Sequence, residues 1–111
     1  VELVKEVIDL INKINLKPSI LVDCSHANCY KYHKKQVIAF RDVLRQRVDG
    51  ENRRIVGIML ESHINEGNQK LTENLSDLEY GVSITDPCIN WEETEALLIE
   101  ANNTIEKSIK N

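Results

Sequence analysis

The sequence predicts an α/β chain with parallel strands, and three observations carry that expectation. Apolar residues recur at spacings of three and four in three stretches, short β-favouring runs lie between them, and each run leads into a helix or a connection to the next run. The resulting order is αβαβ, a long loop, then βα, the rhythm of parallel strands joined by crossovers.

The first helix is read from Val4, Val7, Ile8, Ile11 and Ile14, which form one apolar stripe. Pro18 breaks that pattern, because it has no N–H to continue a helix, and Ile20-Leu21-Val22 then makes a strand within about 19–24. Val37, Phe40, Leu44 and Val48 mark the second helix, with Gly50 as its expected C-terminal cap. The nearly unbroken apolar run 55–60 predicts a strand within about 54–61, of the kind covered on both faces of a parallel sheet. Residues 62–81 are polar, carry Gly67 and several Asn, and read as a long loop, which is usually functional or disordered. Val82-Ser83-Ile84-Thr85 predicts a third strand within 82–86, closed by Pro87. Asn90-Trp91-Glu92-Glu93 has the form of a capping box, and the helix it opens is expected to bury Leu97, Leu98, Ala101, Ile105 and Ile109.

With 111 residues the chain matches a single domain and falls well below the ~250 residues of a complete (β/α)₈ barrel, so its fold is small or incomplete. The chain begins at Val1 and enters helical pattern at once, which suggests a piece of something longer; no internal boundary divides 1–111. Fourteen basic and 18 acidic residues leave a net charge of −4, and no basic field exists to attract nucleic acid. No apolar run approaches the ~20 residues that cross a bilayer and no signal-peptide pattern opens the chain, so a cytoplasmic protein is expected. Cys24, Cys29 and Cys88, odd in number and without CxxC spacing, predict reduced thiols rather than a disulfide framework or a zinc ribbon.

Each expected strand ends within about two residues of a potential metal ligand: His26, Glu61 and Asp86. Ligands collect at the carboxyl ends of strands in open α/β sheets and in barrels, because loops there vary without disturbing the core. One imidazole and two carboxylates suit Mn²⁺, Fe²⁺, Co²⁺ or Zn²⁺. Polar residues at strand ends also cap helices and bridge to loop amides, and the pattern alone leaves both readings open. His63, two residues beyond Glu61, is a proton donor, a supporting partner or a loop residue. Lys31, Lys34 and Lys35 cluster before the second helix, as a phosphate-holding group or a solvated face. No dinucleotide, P-loop or serine-hydrolase motif is present.

At these residues the chain resembles a known family. Asp23-Cys24-Ser25-His26-Ala27-Asn28, then Gly57-Ile58-Met59-Leu60-Glu61-Ser62-His63 with Glu66-Gly67-Asn68-Gln69, then 80–89 with Trp91-Glu92, resemble the C-terminal part of type I 3-deoxy-D-arabino-heptulosonate 7-phosphate (DAHP) synthase, over about Ser19 to Leu98. The resemblance implies the last three β/α units of a (β/α)₈ TIM barrel, incomplete as an isolated chain. It implies a divalent-metal enzyme condensing phosphoenolpyruvate with erythrose 4-phosphate, the first committed step of the shikimate pathway. His26, Glu61 and Asp86 carry over as metal ligands, with proton roles for Asp86 and His63. The family's fourth ligand is an upstream cysteine, which Cys24, Cys29 and Cys88 do not match. The chain alone is then expected to be inactive and to self-associate through open sheet edges. The competing expectations are a non-catalytic α/β interaction module and a different metal-dependent barrel enzyme.

Overall fold

The structure is a computed structural model that describes residues 2–29, 32–50 and 52–110. Its elements run α1 (Glu2–Lys13), β1 (Ile20–Asp23), α2 (Gln36–Val48), β2 (Ile55–Met59) and α3 (Trp91–Lys110), with short 3-10 turns at His26–Cys29, His33–Lys35 and Leu75–Asp77. The strands β1 and β2 pair in parallel, Leu21 opposite Gly57, Val22 opposite Ile58 and Asp23 opposite Met59, with a register irregularity after Ile20. The Cys24 N–H extends that ladder to the Met59 carbonyl at 3.0 Å.

Helix ends follow local chemistry. Asn15 ends α1 with φ at +58°, the left-handed cap conformation that Asn tolerates. In α2 the capping residue is Asp49, whose N–H reaches the Arg45 carbonyl at 2.8 Å. Gly50 comes one position later than expected of a cap, and a Cβ there would lie 2.7 Å from the Gln46 carbonyl oxygen, so close backbone approach requires the glycine. At α3 the Asn90 side chain accepts from the Glu93 N–H at 2.9 Å, as the capping-box pattern predicts.

The expected third strand does not form. Ser83 Oγ accepts the Thr85 N–H at 3.1 Å, a side-chain turn that competes with extended pairing, and 82–86 bends. Pairing with the end of β2 passes instead to Ile89, which donates to the Glu61 carbonyl at 3.1 Å and accepts from the His63 N–H at 3.0 Å. The long loop is tied down by its own amides. Asn65 N–H donates to the Gly81 carbonyl at 2.8 Å, and the Gln69 side chain donates to Glu79 and Val82 carbonyls at 2.8 and 3.0 Å.

The core gathers Cys24, Phe40, Val43, Leu44, Ile55, Ile89 and Leu97, between α2, β2 and the first turns of α3. Burial is one-sided. Leu21, opposite Gly57, shares a face with Met59, and the two are 62% and 37% exposed, so the sheet that the apolar runs suggested was covered on both faces is open on that one. In α3 Leu97 is buried and Ala101 packs partly; Leu98, rotated away from Leu97 around the helix, is exposed, and Ile105 and Ile109 are exposed because the helix runs out past the core that would cover them. No residue of α1 is buried. The radius of gyration, 16.8 Å, exceeds the about 13 Å of a compact domain of this length, and the molecule is a slab 19 Å thick.

Candidate metal centre

The two strands and the turn before Ile89 bring His26, Glu61 and Asp86 to one end of the sheet. His26 Nε2 lies 3.3 Å from a Glu61 carboxylate oxygen and 3.3 Å from one of Asp86. One ligand atom from each of the three lies within 4.8 Å of the others, and with Cys29 and Pro87 they line a cavity of about 170 Å³. Glu61 is half-buried, whereas His26 and Asp86 are open to solvent.

Residues just before His26 fix its ring. Its Nδ1 is 2.8 Å from Asp23 Oδ2 and 2.9 Å from Ser25 Oγ, while Asp23 Oδ1 accepts both the Ser25 N–H, at 2.8 Å, and the Ser25 hydroxyl. With Nδ1 held by a carboxylate, Nε2 is the nitrogen presented to the site. The backbone of His26 is left-handed, φ +51°, an uncommon conformation for a non-glycine residue, and the Asn28 side chain steadies the bend by donating to the Asp23 carbonyl at 2.6 Å.

Electrostatics agree with a cation site. The hydrogen bond with Asp23 and then the Glu61 charge hold the His26 imidazole above its ordinary value. Burial pushes the Asp23 carboxyl up, but its hydrogen bonds with Ser25 and His26 outweigh this and hold it below the usual carboxylate range. Two carboxylates converging on one imidazole nitrogen attract positive charge, which a proton or a divalent ion can supply. A mixed N/O set of this spread fits one such ion, so the residues present suit the metal expected from the sequence.

The chain's first 99 residues match the model of the DAHP synthetase I family. The chain belongs to that family. Among curated relatives it is 48% identical, over 94 residues, to the Tyr-sensitive phospho-2-dehydro-3-deoxyheptonate aldolase of Enterobacter agglomerans, covering 85% of this chain and 44% of that protein. To the Phe-sensitive aldolase of Escherichia coli K12 it is 47% identical over 102 residues, covering 92% of this chain and 29% of that one. The chain therefore spans less than half the length of these relatives. A solved phospho-2-dehydro-3-deoxyheptonate aldolase from Francisella tularensis SCHU S4 superposes with a TM-score of 0.86 at 32% identity, over 95% of this chain and 30% of that one.

Within this DAHP synthetase I chain the other expected residues fall differently. His63 is exposed, and its Nδ1 accepts the Ile64 N–H at 2.8 Å, which leaves Nε2 as its available nitrogen; it does not line the 170 Å³ cavity. Lys34 lies 3.4 Å from Glu66, whose carboxyl is held below its ordinary value first by a hydrogen bond with His33. Lys31 is outside the described residues. Sequence reading gave no role to Asp23, Ser25 or Gln36. The first two sit in the very motif that carries the resemblance, and a carboxylate three residues before a candidate ligand histidine was a usable signal.

Proposed function

We propose that this chain is the metal-bearing, C-terminal part of the barrel of a DAHP synthase, which in the complete enzyme condenses phosphoenolpyruvate with erythrose 4-phosphate. The observation that carries the reading is the convergence of His26, Glu61 and Asp86 at the carboxyl end of β1 and β2. His26, Glu61 and Asp86 would hold the divalent ion, Mn²⁺, Fe²⁺, Co²⁺ or Zn²⁺. When bound, the ion supplies Lewis acidity for the aldehyde oxygen of erythrose 4-phosphate.

This chain's own residues supply orientation and proton handling. Asp23 keeps His26 Nε2 aimed at the site, and Glu61 brings a half-buried charge. C3 of phosphoenolpyruvate bonds to the aldehyde carbon, whose oxygen takes up a proton to become a hydroxyl. Water adds at C2 with loss of one proton, and its second proton leaves as the C2–O bond to phosphate breaks and the C2 ketone forms. Asp86, exposed at the cavity rim, takes the proton that the water gives up, and His63, through Nε2, assists from the neighbouring loop.

The activity belongs to the closed barrel, since two strands cannot enclose the substrates; the open edges of β1 and β2 join the rest of the barrel or a second copy. No helix among the described residues is long and apolar enough to cross a membrane. Three unpaired cysteines suit the reducing cytoplasm, where we place the enzyme.

The test is a calorimetric Mn²⁺ titration of this chain beside a His26→Ala, Glu61→Ala, Asp86→Ala variant. Saturable binding that the variant lacks is the expected result, and equal heats from both proteins overturn the metal site.

A further inference from the structure

Gln36 is the first residue of α2, 0% exposed, and its side chain makes two hydrogen bonds to one distant residue. Gln36 Oε1 accepts the Glu61 backbone N–H at 2.9 Å, and Gln36 Nε2 donates to the Glu61 carbonyl at 3.1 Å. A planar amide with one acceptor and one donor edge thus pairs with a residue's backbone as a neighbouring strand would. It does so where the ladder has run out, because β1 turns away after Cys24 has bonded to Met59. On its carbonyl Glu61 also receives the Ile89 N–H at 3.1 Å, so its peptide groups are gripped by the start of α2 and by the segment leading into α3.

Burying a primary amide is costly unless its polar edges are paired, and here both are. A glutamine at this position is therefore committed to Glu61, and the chemistry of Glu61 explains the commitment. The backbone of Glu61 determines where its carboxylate stands, and that carboxylate must lie within a few ångström of His26 Nε2. Length and polarity are both needed: asparagine has the same amide one methylene shorter, methionine has the length without the polarity, and glutamate has an acceptor but, when ionised, no donor.

We propose that Gln36 is a positioning residue for the metal site, acting through the Glu61 backbone to fix the reach of the Glu61 carboxylate. The inference rests on the reading of Glu61 as a ligand, and the experiment separates the two. Wild type is compared with Gln36→Met and with Val43→Ala, a loss of buried apolar contact on the same helix. One readout needs no metal: hydrogen exchange of the Glu61 amide relative to the Cys24 amide, which belongs to the ladder. The other is the Mn²⁺ dissociation constant by calorimetry.

In Gln36→Met the Glu61 amide exchanges at least about tenfold faster relative to Cys24, because its only side-chain acceptor is gone. Mn²⁺ binding weakens by about 10–100-fold, the range for losing a group that orients a ligand. Val43→Ala lowers stability but leaves the exchange ratio and the Mn²⁺ constant at wild-type values. Gln36→Asn, which keeps a neutral amide one methylene shorter, carries the test should Gln36→Met not fold: it too raises the exchange ratio and weakens Mn²⁺ binding. A wild-type Mn²⁺ constant in a folded Gln36 variant overturns the positioning role and leaves the ligand reading intact. Absence of Mn²⁺ binding by wild type overturns the ligand reading, and with it the proposal.

Discussion

His26 is held by its own neighbours in sequence: Asp23 and Ser25 bond its Nδ1, and Asn28 braces the turn. Glu61 depends on residues 25 and 28 positions away, Gln36 through its side chain and Ile89 through its backbone. The two side chains meet at 3.3 Å, yet one is placed locally and the other by tertiary structure. Loss of the Gln36 or Ile89 bonds should therefore disperse the site from the Glu61 side, while the turn around His26 persists.

The largest expected effect comes from the packing that holds Ile89 and the end of β2. Leu97, 2% exposed, lies in the same core as Ile89, so Leu97→Ala should cost about 2–5 kcal/mol in a denaturant titration. Its neighbour Leu98, 52% exposed on the same helix, should change stability by no more than about 0.5 kcal/mol when cut to alanine. Equal losses would mean that α3 packs through a different face.

An intermediate effect is expected on the local side. Asp23→Asn keeps the shape of the side chain but removes the charge beside His26 Nδ1, and should weaken Mn²⁺ binding about tenfold in calorimetry. The same substitution should lower the His26 midpoint in a ring-proton titration of the metal-free chain. In wild type the folded imidazole is held above its ordinary 6.5, first by the Asp23 hydrogen bond. The stability this contributes is complete below that ordinary value and is lost as pH rises through the folded one. An unchanged midpoint in Asp23→Asn would assign the shift to Glu61 instead.

The smallest effect concerns the bridge between α2 and α3. Arg41 grips Glu100 with two parallel bonds, Nε to Oε1 at 2.9 Å and Nη2 to Oε2 at 2.8 Å. Both side chains are more than a third exposed, so solvent screening limits the loss in Arg41→Ala to about 0.2–1 kcal/mol. Glu100 is held below its ordinary value by Arg41, so this contribution is present above that value and fades as pH falls through the folded one. A thermal melt at neutral and at acid pH checks both statements.

The helices were legible because their apolar spacing is periodic, both strands of the sheet because their apolar runs are short and nearly unbroken, and the convergence of His26, Glu61 and Asp86 because each follows an apolar run. The third strand was misread since a four-residue β-favouring run says nothing of Ser83, whose hydroxyl takes the Thr85 N–H that pairing requires. Asp86 nevertheless arrives at the site, carried by the turn before Ile89 rather than by a strand end. Leu98, Ile105 and Ile109 share apolar character with Leu97, and composition alone shows neither which face of a helix meets the core nor where the helix leaves it. Gln36 was illegible for a different reason. A glutamine at a helix start looks like any solvated polar residue until its partner, 25 positions on, is known.

All three cysteines are buried and unpaired, and burial pushes the Cys24 thiol up to about 12. A thiolate is the reactive form, so Cys24 is chemically silent at neutral pH while the fold is intact. Alkylating reagents thus act as a clock for opening. The order in which Cys24, at the end of β1, and Cys88, beside Ile89, become labelled would show in a mass spectrum which half of the molecule lets go first.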